Sequence, residues 1–415
     1  MHLPTPQVHL ELERGALPAT GGTVRALLRL SVAFPDAERE REPLSLALVI
    51  DRSGSMSGPP LEQAKAAAVA AVSALRDGDR VTVIAYDHRV DVVVPSTAVG
   101  EDRTALVRAI EAIRAGNTTA LHAGWVEGYT QVLTTPVASG LGRVVLLSDG
   151  LANVGLTDPA EIAADVVRAT GNGVSTSTIG LGRHFDERML RHLADAGQGS
   201  YTFVEAAEQL AGLFETELAG LSALRGRDVR LTWHGRGVRV VAATGGARLA
   251  ADAVQLPDLV AGLPREALLT LEVAAGATLE GLRLTWDDVF TKTVAHLDQA
   301  IDAPTLGADA YAARPLAPAV AGAVRVAELA GRIADVERLS RTRRLAEAEA
   351  TLQGLRAEVA AWPADAARDA QLEDLGHLLE GVRTRDVALA SKRAYNATYE
   401  RQRGVRAVDR RAMMS

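Results

Sequence analysis

The run LSLALVIDRSGSMSG, residues 44–58, concentrates the groups in this chain that could do chemistry. Its apolar stretch over 44–50 delivers Asp51, Ser53 and Ser55 into a tight loop at alternate positions, so that one carboxylate and two hydroxyls can turn toward one point. Hard oxygen donors of this kind suit Mg2+, or Mn2+ in its place, and suit zinc or copper poorly. Two more oxygen groups follow other elements. Asp149 comes after the apolar run Val144–Leu147 in VVLLSDG, and Thr119 is expected to open a helix in AGNTTALHAG. Open α/β sheets bind ligands beyond the carboxyl ends of their strands, which predicts that Asp51 and Asp149 meet at one edge and that Thr119 joins from a neighbouring loop.

The elements that must position these groups alternate along the chain. Apolar or β-branched runs at Leu44–Ile50, Val81–Ala85, Val90–Val94, Val144–Leu147, Val174–Leu181 and Tyr201–Val204 read as strands. Helix-like stretches near 59–76, 103–114, 119–133, 158–171, 186–196 and 206–221 lie between most of them, the order of a doubly wound sheet. Asp87-His88-Arg89 is too short for a crossover helix, so the strands on either side are expected to form an antiparallel hairpin at a sheet edge. Outside this region, residues 8–13 and 24–34 read as strands without local partners. Val229–Trp233, Val238–Ala243, Ala267–Val273, Leu282–Trp286 and the segment Val289–Leu297 read as strands separated by Gly, Pro and Asp turns. The expected architecture is a multidomain chain. A doubly wound α/β domain over 42–221 is inserted in a β-sandwich built from 1–41 and 222–303, and a helical region over 304–415 follows, with Ala361-Trp362-Pro363-Ala364-Asp365 separating two long helices.

Residues 42–220 resemble a von Willebrand factor type A domain, and Asp51, Ser53, Ser55, Thr119 and Asp149 match the motif of its metal-ion-dependent adhesion site. The resemblance implies that the two serines and the threonine touch a metal directly or through water, and that the two aspartates complete or orient the shell. The family often has Gly-Gly before the threonine, where this chain has Asn117-Thr118. Thr119 fits that position better than Thr118, because Gly124 then falls five residues later; Thr118 stays open as the alternative. The stretch IGLGRHFDERMLRHLADAGQGSYTFVE also resembles the closing half of bacterial members. The flanking β segments and helical tail resemble, more loosely, bacterial proteins that carry this domain inside a larger chain.

Other chemistries find little support. The absence of cysteine excludes disulfides, thiolate catalysis and Cys-based zinc sites. No P-loop signature occurs, and Gly54-Ser55-Met56-Ser57-Gly58 carries methionine where a nucleophile elbow needs serine. The nine histidines are scattered, and none falls in an H-E-x-x-H pair. His122 is placed either toward the site or on an ordinary helix surface. Arg52 is expected either to tune which carboxylate approaches or simply to face solvent. Trp125, Trp233, Trp286 and Trp362 are expected to pack rather than to form a ligand platform.

At 415 residues, 47% hydrophobic and 23% charged, the composition excludes wholesale disorder and fibrous rods. Lysine is confined to Lys65, Lys292 and Lys392, and the Ala/Arg/Val-rich usage suggests a GC-rich bacterial genome. The net charge of −7 argues against a general nucleic-acid binder, although residues 381–415 carry nine Lys/Arg against three Asp/Glu. No apolar run is long enough to span a bilayer, and the start lacks the features of a signal peptide, so a cytoplasmic location is expected. The expected function is non-enzymatic. A Mg2+ or Mn2+ ion with an open position would bind an Asp or Glu carboxylate from a protein partner, as the family resemblance implies. Two alternatives remain, a Mg2+-dependent hydrolase and a metal-independent scaffold acting through the helical tail.

Overall fold

The computed structural model describes residues 5–33, 43–135, 141–149, 152–181, 186–204, 223–384, 392–395 and 397–398. The chain divides into two compact units, Met1–Arg39 with Ala223–Ser415, and Glu40–Ser222.

The first unit begins with β1 (Gln7–Leu12), the short β2 (Leu17–Pro18) and β3 (Gly22–Ser31). β1 alternates between core and surface, whereas β3 is mostly buried, because β3 lies between β1 and a later strand and has neighbours on both sides.

The second unit runs β4 (Leu44–Asp51), α1 (Pro59–Ala74), β5 (Arg80–Tyr86), β6 (Val90–Ala98), α2 (Thr104–Glu111), α3 (Leu121–Thr134), β7 (Leu141–Ser148), α4 (Pro159–Gly171), β8 (Val174–Leu181), α5 (Glu187–Ala196) and β9 (Gln198–Val204). These six strands form one sheet in the order β6-β5-β4-β7-β8-β9, parallel except for the β5–β6 hairpin at the edge. β4, β7 and β8 are buried along their whole length, as strands covered on both faces of a parallel sheet are; β4 and β7 are mostly apolar, while in β8 Arg143 donates to Ser175 and Ser177, Trp125 donates to Thr176, and Thr178 donates to the Leu190 carbonyl. β4 has β5 on one side and β7 on the other, so the strand order reverses between β4 and β7. That switch point opens a crevice at their carboxyl ends, where Ile50 stands opposite Leu147 and the chain continues into Asp51 on one strand and Ser148-Asp149 on the other. The helix expected over 206–221 lies outside the described residues.

The first unit resumes with β10 (Leu224–Ala243), β11 (Arg248–Leu249), β12 (Val254–Leu256), β13 (Leu259–Val260), β14 (Arg265–Asp288), β15 (Val294–Ala300) and β16 (Thr305–Leu306). Strands from both ends of the chain share one eight-stranded sheet, in which β3 pairs with β14 from Gly22–Val273 to Leu30–Arg265, and β16 pairs separately with β2. Two expectations need correction. Val229–Trp233 and Val238–Ala243 belong to one strand, β10, and Ala267–Val273 and Leu282–Trp286 belong to one strand, β14. The glycines read as turns are bulges instead: Gly235 and Gly237 take positive φ, and the β10–β14 register shifts beside each. A Cβ on Gly235 would come within 2.2 Å of the Thr278 carbonyl oxygen, so the bulge brings two backbones too close for any side chain. The last segment also moves. Residues 289–293 form a turn, with Asp288 Oδ1 accepting from the Phe290 and Thr291 amides, and the strand begins only at Val294.

The inner face of this sheet is apolar throughout, around Val24, Leu28, Leu231, Leu269, Leu271 and Leu284. Helices α6 (Ala308–Ala313), α7 (Pro318–Arg341), α8 (Leu345–Ala360) and α9 (Ala366–Arg383) follow. Ile333, Leu352, Leu355, Val359 and Leu375 form the core of the last three, and Asp365 caps α9 by accepting from the Arg368 amide. The basic stretch beyond Thr384 lies almost wholly outside the described residues. Among the described residues no helix is long and apolar enough to cross a membrane.

Candidate metal site

The loop after β4 is fixed before any ligand is considered. Arg52 N–H donates to the Tyr86 carbonyl at 2.9 Å, Gly54 N–H donates to the Asn117 carbonyl at 2.6 Å, and Gly116 N–H donates to the Arg52 carbonyl at 2.6 Å. A 3-10 turn over Gly54–Met56 follows, anchored by the fully buried Met56 side chain. These bonds lay the 51–55 loop against the 116–119 loop, and both sit at the carboxyl end of the sheet.

Within that frame Asp51 is fully buried. Its Oδ1 accepts from the Ser53 amide at 2.8 Å and its Oδ2 accepts from the Ser148 hydroxyl at 2.7 Å. Ser53 Oγ and Ser55 Oγ lie 3.1 Å apart, Ser53 buried and Ser55 exposed. Burial pushes the Asp51 carboxyl up to about 6, and the nearby charge of Asp149 adds to the shift, while hydrogen bonds from Ser53 and Ser148 oppose it. Tyr86 lies beside Asp51. It is fully buried, and burial followed by the Asp51 charge holds its hydroxyl well above the ordinary tyrosine value, with Ser148 beside it opposing the shift.

Thr119 is buried, whereas Thr118 is exposed. Thr119 does not open the helix as expected. α3 starts at Leu121, and the Ala120 amide donates to the Asp87 carbonyl at 2.7 Å, which places Thr119 in the preceding loop. Gly124 lets α3 approach the sheet, since a Cβ there would sit 2.6 Å from the Tyr86 ring. Asp51, Ser53 and Ser55 are joined by direct hydrogen bonds, Asp149 is coupled to Asp51 electrostatically, and Thr119 reaches the same end through the backbone of its loop.

Several residues around this site escaped the reading of the sequence. Asp87, buried at the end of β5, gathers the loops: its carboxylate accepts from the amides of Arg89 at 3.0 Å and Asn117 at 3.3 Å, from the Arg52 guanidinium at 3.3 Å, and pairs with His88 Nδ1 at 2.9 Å. Burial acts against its charge, but the two amides and then Arg52 outweigh it and hold the carboxyl below the usual range. Gly116 is required beside it, because a Cβ would fall 2.1 Å from Asp87 Oδ2. Arg52 therefore follows neither expectation. It turns sideways into an ion-pair cluster with Asp87 and Asp91, since a buried carboxylate next to its strand attracts it more than water does. Asp87 in the turn YDHR was a visible signal, a carboxylate one residue after an apolar strand; Ser148 and Asn153 had none beyond their proximity to Asp149.

His122 bonds Asp165 of α4 at 2.8 Å and stacks on Trp125, which stacks on Tyr129; burial lowers its pKa. The tryptophans pack as expected. Trp125 and Trp286 are buried, Trp233 packs against the eight-stranded core, and Trp362 packs against the helical core.

The donor set suits a hard divalent cation. Two carboxylates are buried close together, and Asp51 is met by an amide and a hydroxyl rather than by a cationic side chain. Among the described residues no cluster of three or more His, Cys, Asp or Glu is placed to hold a metal, so an ion here would depend on hydroxyls for most of its protein donors.

Residues 45–216 match the family profile described as the von Willebrand factor type A domain, so the α/β unit is similar to domains of that family. The chain is 34% identical to the Synechocystis protein sll0103 over 190 residues, 46% of this chain and 44% of that one. It is 29% identical to Escherichia coli YfbK over 216 residues, 51% of this chain and 37% of that one. The match thus spans less than half the length of these curated relatives. In structure it is similar to a von Willebrand factor type A protein from Catenulispora acidiphila, with a TM-score of 0.72 and 19% identity over 98% of both chains.

Proposed function

We propose that the α/β unit is a metal-dependent protein-interaction module in which Asp51, Ser53, Ser55, Thr119 and Asp149 hold Mg2+ or Mn2+ and leave a position open for an Asp or Glu carboxylate of a partner. The observation that carries this reading is the pair of buried carboxylates at the switch point, Asp51 and Asp149, set among hydroxyls, with the Asp51 carboxyl raised to about 6 in the absence of a cation. An ion there relieves the repulsion and, with a coordination number of six and oxygen preference, has room for an external ligand. The match of residues 45–216 to that domain family supports an interaction role.

The test is a calorimetric titration of the full chain with Mg2+ and Mn2+, alongside melting curves. One site is expected, and saturation at a hundredfold over Kd should add about 2.7 kcal/mol to the stability of the unit that binds. Absence of both heat and a melting shift would show that the five groups do not bind metal. Partner capture that is insensitive to EDTA would place recognition on another surface, with the helical tail first to be examined.

A further inference from the structure

Thr119 contributes a hydroxyl to the proposed site, yet the helix it precedes does not hold it. Its peptide is held by the loop that follows β7. The Thr119 amide donates to Asn153 Oδ1 at 2.8 Å, and the amides of Asn153 and Val154 both donate to the Thr119 carbonyl at 3.1 Å. Asn153 is itself exposed, so its side chain adds little to the core; what it does is clasp a buried threonine from both sides of the residue. The chemistry is specific. An amide oxygen accepts from the Thr119 N–H without bringing a third carboxylate toward Asp51 and Asp149.

We propose that Asn153 is the positioning residue of the metal site, fixing the Thr119 hydroxyl relative to Asp149. The inference rests on the metal-site reading, and it goes beyond the motif, which contains no residue between Asp149 and α4. Fixing one oxygen of a small cation's shell matters because Mg2+ demands near-ideal geometry, so a Thr119 loop free to drift weakens binding even with every donor present.

The experiment is a cycle on the full chain, read by calorimetric titration with Mn2+ and by the melting of the metal-free protein. Asn153→Ala is expected to raise Kd about tenfold, or about 1.4 kcal/mol. Thr119→Ala is expected to raise it at least as much. In the Thr119→Ala background, Asn153→Ala should add less than about twofold, because its effect passes through the hydroxyl already removed. A purely structural role would instead multiply Kd by the same factor in both backgrounds, which would overturn the proposal, as would an Asn153→Ala protein that titrates like wild type. A wild-type chain without Mn2+ heat sinks the metal site itself, and the proposal with it. Wild-type binding that is unchanged in Asn153→Ala removes only the role of Asn153.

Discussion

The two sheets handle polar atoms in opposite ways. At the carboxyl end of the six-stranded sheet, Asp51, Ser53, Thr119, Ser148 and Asp149 are all buried, and charge is held inside the protein near like charge. In the eight-stranded sheet the buried cluster is apolar to the last residue. Its charges stay outside and pair across strands, Arg29 with Glu11 and Glu266, and Arg283 with Asp298. One region is built to hold together by itself, since removing apolar surface from water needs no partner. The other holds charge near like charge inside the protein, an arrangement that a cation would relieve under the function proposed above.

The contrast breaks most sharply with a cavity. Leu284→Ala, at a fully buried position that faces Leu231 and Leu297 across β14, should cost about 3–5 kcal/mol in the melting of the first unit and leave the Mn2+ titration unchanged. A shifted metal affinity in that variant would mean that the two regions are not independent.

A pH series is the next largest effect. The Asp51 carboxyl is raised to about 6 in the folded protein against 3.8 ordinarily, so the fold favours its protonated form. That contribution is fully present below about pH 4 and is lost as pH rises through about 6, a change on the order of 3 kcal/mol for the metal-free protein. Under the proposed metal site the trend should reverse, because ionised Asp51 would be the ligand: stabilisation by Mg2+ should be strong above pH 6 and fade below it as protons compete. Thermal melts from pH 4 to 7.5, with Mg2+ and with EDTA, measure both slopes. A flat metal-free profile would contradict the buried charge.

Asp51→Asn sharpens the same point. It keeps an acceptor for the Ser53 amide but removes the charge, so Kd for Mn2+ should rise at least about a hundredfold, or about 2.7 kcal/mol, while the metal-free protein melts at the same temperature or slightly higher. Severe loss of metal-free stability would show that the carboxylate is structural. The smallest effect is expected at Asp158, whose side chain caps α4 by accepting from the Ala160 and Glu161 amides. Asp158→Ala should cost about 1 kcal/mol in melting, with Mn2+ affinity within about twofold of wild type.

The departures between sequence and structure have identifiable causes. The runs of β4 and β7 are plain in the sequence, because strands covered on both faces are mostly apolar, whereas β8 carries buried serines and threonines whose hydroxyls are met by Arg143 and Trp125. The hairpin at Asp87-His88-Arg89 was legible from length alone. β10 and β14 were misread as separate strands because a glycine signals a turn and a bulge alike, and only the partner strand decides between them: Gly235 and Gly237 bend β10 while β14 keeps it paired. Arg52 was misread for a similar reason. The carboxylates that capture it, Asp87 and Asp91, lie 35 and 39 residues away, and nothing in the loop itself points to them.

By itself the sequence determined the cluster of oxygen groups and the strand that delivers it, since Asp51, Ser53 and Ser55 follow an apolar run that must be buried, and the spacing of two along the loop brings their oxygens together. The order of strands and helices likewise placed Asp149 at the same edge, because parallel strands end on the same side. Tertiary structure alone decided what holds those groups in place: Asp87 joining three loops, Ser148 bonding Asp51, Asn153 clasping Thr119, and Tyr86 buried beside Asp51. The physical reason is that a hydrogen bond between residues far apart in sequence depends on where two loops end, and loop ends are set by the packing of the whole sheet rather than by any local propensity.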